Sequence, residues 1–152
     1  MYQKGGWFYE RIMWLIFTIV LLAGAAGLFG SGYFNSANEG QSTFFKVQYS
    51  RFLRYETDSR INFEINAIKS DKSVSLWIDS DILNYFMIQQ IAPLPDRTLL
   101  KTDQIVFTYD IEPSVLRIQI ALLIKPMKLN RIKWHAGLVG GSIHEIAQFI
   151  YP

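Results

Sequence analysis

The stretch Ile61-Asn62-Phe63-Glu64-Ile65-Asn66-Ala67 alternates apolar and polar side chains without a break. Successive side chains of a strand point to opposite faces, so this pattern predicts a strand with one face in a core and one in water. Downstream, Val74, Leu76 and Ile78 repeat the period around Ser75 and Trp77, after the polar run Lys69-Ser70-Asp71-Lys72-Ser73. The two runs and the polar stretch between them predict a hairpin. Upstream, Phe45, Val47 and Tyr49 alternate with Lys46 and Gln48. Further on, the same period returns at Met87 to Ile91, at Ile105, Phe107, Tyr109 and Ile111, and, longest, from Leu116 to Ile124 before Pro126. Ile132 and Trp134, a Gly140-Gly141 turn and Ile143 to Tyr151 complete the set. Asp79 or Ser80 is expected to cap one short helical turn through Tyr85, and Pro93 and Pro95 to stiffen a connection. Seven or so short strands predict a mainly β fold for residues 44–152, an antiparallel β-sandwich or open barrel.

The chain has 152 residues, half of them apolar. Its mean hydropathy is +0.13, high for a soluble domain. Much of the excess sits in one place. From Ile12 to Phe29 there is no charge, and Thr18 is the only polar side chain. Eighteen helical residues span about 27 Å, close to a bilayer's hydrocarbon core. Trp7, Phe8, Tyr9 and Trp14 lie at one end, with Phe29, Tyr33 and Phe34 at the other. Rings at both ends match the aromatic belts of membrane interfaces. The expectation is a transmembrane helix over residues 12–34, after a short N-terminus of residues 1–11 and before a linker of residues 35–43. Two alternatives compete. One is a cleaved signal peptide, with Ala23-Gly24-Ala25 resembling its cleavage site; the other is a core helix, which would have to be apolar on every face. Lys4 and Arg11 precede the helix, and the next basic residue is Lys46. The positive-inside rule then places the N-terminus in the cytoplasm and the β-domain outside a bacterial inner membrane.

Ala23, Ala26, Gly27, Gly30 and Ser31 recur at three- and four-residue spacing. Small side chains so placed let another membrane helix approach closely, so they are candidate helix-packing residues. Residues 30–43 otherwise have the Gly, Ser and Asn content of a short linker.

The net charge of +2 conceals an asymmetry. Residues 56–112 carry ten acidic and five basic side chains, whereas residues 113–152 carry Arg117, Lys125, Lys128, Arg131 and Lys133 against Glu145 alone. This end could form a basic face toward lipid headgroups or an acidic partner surface. Tyr49-x-Arg51-Phe52-x-Arg54-Tyr55 interleaves arginine with rings. Such interleaving can stack on RNA, but an exported domain meets none and Glu56 and Asp58 oppose it, so no nucleic-acid partner is expected. Arginine stems packed on rings, or headgroup contact just beyond the linker, fit better.

No cysteine is present, which excludes disulfides, thiolate metal sites and cysteine nucleophiles. His135 and His144, with Glu145, fit no zinc spacing, although the two histidines could face each other across the Gly140-Gly141 turn. Asp79-Ser80-Asp81 has no further oxygen ligands at a diagnostic distance and reads better as a cap. There is no nucleophile elbow, S-x-x-K pair or phosphate loop. No catalytic, metal or cofactor residue is assigned, and an enzyme is not expected.

Several stretches resemble single-span bacterial membrane proteins of the kind encoded beside YetF-like multispan membrane proteins. These are Gly27-Leu28-Phe29-Gly30-Ser31-Gly32, Arg51-Phe52-x-Arg54-Tyr55, Trp77-Ile78-Asp79-Ser80-Asp81, Ile91-x-Pro93-x-Pro95 and Gln148-Phe149-Ile150-Tyr151-Pro152. The resemblance implies another integral membrane protein as partner and supplies no catalytic residues. The resulting expectation is an anchored accessory or scaffold subunit, in contact with bilayer lipids, with a homo-oligomer left open. The alternative is a periplasmic β-sandwich that binds a lipid or other apolar ligand between its sheets.

Overall fold

The computed structural model describes residues 4–25, 36–42, 44–66, 72–112 and 117–152. The chain divides into two units, residues 1–36 and residues 37–152.

Among its described residues the first unit holds one helix, α1 (Lys4–Ala25). It begins eight residues before the predicted span, because nothing between Trp7 and Arg11 breaks a helix and only the charges there argued for a boundary. The segment Trp7–Ala25 is long and apolar enough to cross a membrane. Thr18 Oγ1 donates to the carbonyl of Trp14 at 2.8 Å, which satisfies the one polar side chain of the apolar run within the helix itself. The predicted end of the span at residue 34 lies outside the described residues.

The second unit is a β-sandwich with eleven strands among the described residues. They are β1 (Ser36–Ser42), β2 (Phe45–Ser50), β3 (Phe52–Arg54), β4 (Ser59–Asn66), β5 (Ser73–Asp79), β6 (Phe86–Ala92), β7 (Arg97–Leu100), β8 (Gln104–Asp110), β9 (Arg117–Pro126), β10 (Arg131–Leu138) and β11 (Ile143–Tyr151). One sheet has the order β1-β2-β4-β9-β6 and the other β3-β11-β10-β5-β8-β7. Two separate sheets decide for a sandwich against an open barrel.

The opening stretch forms β4, and its alternation is the observed one: Ile61, Phe63 and Ile65 are buried while Asn62 faces out. Its partners are remote. It pairs antiparallel with β2 (Val47 opposite Phe63) and with β9 (Ile120 opposite Phe63). β5 belongs to the other sheet, so the predicted β4–β5 hairpin does not form. The polar run instead joins strands of different sheets, which a two-residue period cannot reveal, since both connections join alternating runs through polar residues.

Three strands were not predicted. β1 occupies most of the expected linker 35–43 and forms an edge of the first sheet. β7 is exposed along its whole length, as an edge strand with little to bury. β3 is three residues long and pairs with β11 in parallel, whereas the other pairings described are antiparallel.

The core lies between the sheets. Phe45, Phe63, Phe86, Ile61, Ile124 and Ile146 are among its fully buried side chains, and the Phe45 and Phe63 rings stack with centroids 6.1 Å apart. A 3-10 turn (Ser80–Asn84) follows β5 and buries Ile82. Asp79 stands at its N-cap position, but its side chain makes no capping bond. At Gly137 a Cβ would come within 2.7 Å of the Ser142 carbonyl oxygen and 3.1 Å of the Trp77 ring, so only glycine fits there.

Candidate functional site

Two surfaces stand apart from an ordinary sandwich exterior, and the helix supplies the first. On α1 the aromatic residues expected at the membrane interface are all exposed, Trp7 by 60% and Trp14 by 70%. Phe8 and Tyr9 are exposed beside them. The Arg11 guanidinium sits 3.8 Å over the Trp7 ring, a cation–π contact that leaves the charge at the aromatic end of the span. Ala23, of the expected packing face, is half-buried on α1; Ala26, Gly27, Gly30 and Ser31, with Tyr33 and Phe34, lie outside the described residues.

The expected basic face does not exist as one surface. Arg117 and Lys125 are in β9 of the first sheet, Arg131 and Lys133 are in β10 of the second, and Lys128 lies in the connection between them. Arg117 is paired with Glu64 and Lys133 with Glu145. Nearness in sequence misled here because the β9–β10 connection crosses from sheet to sheet.

Arg131 joins a different group, at the β3 edge of the second sheet. After β2 the chain leaves the first sheet, turns at Arg51 and enters the second as β3. There the register places Arg131 opposite Phe149 and Phe149 opposite Phe52. All three side chains are exposed, on the outer face. The Phe52 and Phe149 rings meet edge to face with centroids 6.4 Å apart. With Arg51, Tyr49, Ala147 and Gln148 they line an open groove of about 590 Å³ that contains no carboxylate. The Phe149 main-chain N–H donates to the Arg51 carbonyl at 2.8 Å, which holds the crossing residue against the sheet edge.

The floor of this groove is fixed by a buried amide. Gln148 Oε1 accepts from Trp134 Nε1 at 3.1 Å, and Gln148 Nε2 donates to the Ser50 carbonyl at 2.9 Å. One side chain thus ties the end of β2 in one sheet to β10 and β11 in the other. A buried amide keeps its place only with such partners.

Nearby on the same outer face runs a chain of charges. Asp79 Oδ2 accepts from the His135 main-chain N–H at 2.7 Å and lies 2.9 Å from His135 Nδ1. His135 Nε2 is 4.0 Å from Glu145, which accepts from Lys133 Nζ at 2.6 Å. The Lys133 hydrogen bond holds the Glu145 carboxyl below its usual range; desolvation opposes it, and the Lys133 and His135 charges add smaller lowering effects. Asp79 therefore serves the β5–β10 junction, taking a main-chain N–H just past the last paired residues, Ile78 and Ala136, and not the expected cap. His144 does not face His135 across the turn: it opposes Ala136 and turns inward, its ring 5.3 Å from Phe45. Among the described residues no group of three or more His, Asp or Glu side chains is placed to hold a metal ion.

No family model matches the chain, and no curated protein matches it. Among solved structures it is similar to a cohesin module from a family 33 glycoside hydrolase of Clostridium perfringens ATCC13124. The TM-score is 0.45 and the identity 9%, over 70% of this chain and 95% of that one. At that identity the likeness concerns fold alone and transfers no residue.

Phe149 was not picked out as a surface residue in the sequence, yet the signal was there. In β11 the inward phase runs Ile146, Gln148, Ile150 and the outward phase Glu145, Ala147, Phe149. An amide in the apolar phase beside a ring in the polar phase marks a place where both faces have special partners.

Proposed function

We propose that this chain is a single-span membrane protein whose β-sandwich serves as an accessory or scaffold module for another integral membrane protein. The observation that carries the reading is α1. Its apolar surface from Trp7 to Ala25 is 0% buried, and an apolar helix exposed all round is stable only in lipid or against other helices. In this reading the N-terminus is cytoplasmic, the sandwich extracytoplasmic, and the small-residue face meets the partner's helix.

The reading is tested by pull-down of the full chain after mild detergent extraction. A multispan membrane protein should co-purify, and the double variant G27L/G30L should recover it in several-fold lower yield. Repeated recovery of the chain alone counts against the partner. Intact mass of the membrane-bound chain separates an anchor, which keeps residues 1–25, from a cleaved signal sequence. An apolar ligand between the sheets finds no support, because the positions it would need hold Phe45, Phe63, Ile61, Ile124 and Ile146 at 0–1% exposure.

A further inference from the structure

We infer that the groove lined by Arg51, Phe52, Arg131 and Phe149 seats the headgroup of an anionic phospholipid. Four observations converge there. Arg131, Phe149 and Phe52 stand side by side on three neighbouring strands, so charge and rings share one surface row about 5 Å apart from strand to strand. Among the described residues neither Arg51 nor Arg131 forms a salt bridge, in contrast to Arg97, Arg117 and Lys133. No carboxylate lines the groove, so an incoming anion meets no repulsion at its walls. The two rings remain 42% and 46% exposed although they touch each other, leaving apolar surface directly beside the guanidinium groups.

A phospholipid headgroup offers the matching pair of features: a phosphodiester for the guanidinium fork and glycerol and upper acyl carbons for the rings. An acidic protein segment would satisfy the arginines but leave the rings without a specific counterpart. Inorganic phosphate would leave them in water. The inference rests on the membrane-anchor reading for its source of lipid. Only ten residues separate α1 from β1 in the sequence, so once the helix is inserted the sandwich stays close enough to the bilayer to meet headgroups at high effective concentration.

The test uses the full chain in micelles of a neutral detergent, where the groove is read whether or not α1 inserts into a bilayer. It is titrated with dihexanoyl-phosphatidylglycerol and, separately, dihexanoyl-phosphatidylcholine, while the amide NMR signals of Phe52, Arg131 and Phe149 are followed. Saturable shifts with the glycerol lipid, and much weaker ones with the choline lipid, are expected. R51E/R131E should weaken binding about thirtyfold, the equivalent of about 2 kcal/mol for two basic groups. F52A/F149A should weaken it severalfold with the charges intact. Both pairs are surface substitutions, and an unchanged thermal transition confirms that they fold. Equal response to both lipids, or indifference to R51E/R131E, overturns the inference. So does inorganic phosphate binding as tightly as the lipid, or polyglutamate binding more tightly; the latter assigns the groove to an acidic protein. Carbonate extraction of membranes tests the anchor separately, so the two readings fail by different results.

Discussion

Gln148 shows how much one side chain decides. Its amide bonds Trp134 Nε1 and the Ser50 carbonyl from a site only 1% exposed. In Gln148→Leu both partners lose their hydrogen bond in the interior, so the thermal transition of the sandwich should fall by the equivalent of about 1–3 kcal/mol. Tyr109 is the opposite case, a buried hydroxyl with no hydrogen-bond partner among the described residues. Burial first, and the Asp96 carboxylate second, push its phenol up to about 12. The neutral form is thus favoured in the folded state. The unfolded chain ionises near pH 10 and the folded one later, so this contribution is complete below pH 10 and is lost between about pH 10 and 12. Tyr109→Phe should flatten that part of the stability profile, measured by urea titration across the alkaline range, without loss at neutral pH. A variant that steepens the alkaline fall would contradict the assignment.

At the scale of elements, period-two patterns located the strands well where one face is buried, as in β4, β9 and β11. They located poorly what buries little. β7 is exposed throughout and β3 has three residues, so neither leaves a readable alternation. The same contrast predicts mutational cost. Phe63→Ala in β4, flanked by β2 and β9, should cost about 3–5 kcal/mol by denaturant titration. Leu99→Ala in β7, where the side chain is 58% exposed, should change stability by no more than about 0.5 kcal/mol. Comparable losses at the two positions would mean that the edge strand is covered by something outside this chain. α1 begins at Lys4, before the expected span, because charges near the end of an apolar helix can remain helical when their stems and rings pack together, as Arg11 does on Trp7.

For the whole molecule, the chain forms two units, and the core cluster belongs to the second. A fragment starting at Ala37 should therefore be soluble without detergent and unfold in one cooperative transition, with a melting temperature close to that of the sandwich in the full chain. Calorimetry of both checks this; a fragment that fails to fold would show that the first unit contributes to the sandwich. By itself the sequence determined that there is an apolar helix of membrane-spanning length and a mainly β domain, because both are written in local period and local polarity. Only the tertiary structure decided that β4 pairs with β9 and not with β5, that four of the five basic residues of the C-terminal part are divided between two sheets with Lys128 in the connection between them, and that Arg51 and Phe52 meet Arg131 and Phe149. Those groupings join residues up to about a hundred positions apart. They follow from how the sheets pack and where connections cross between them, a choice made by the summed burial of the core and carried by no single stretch of chain.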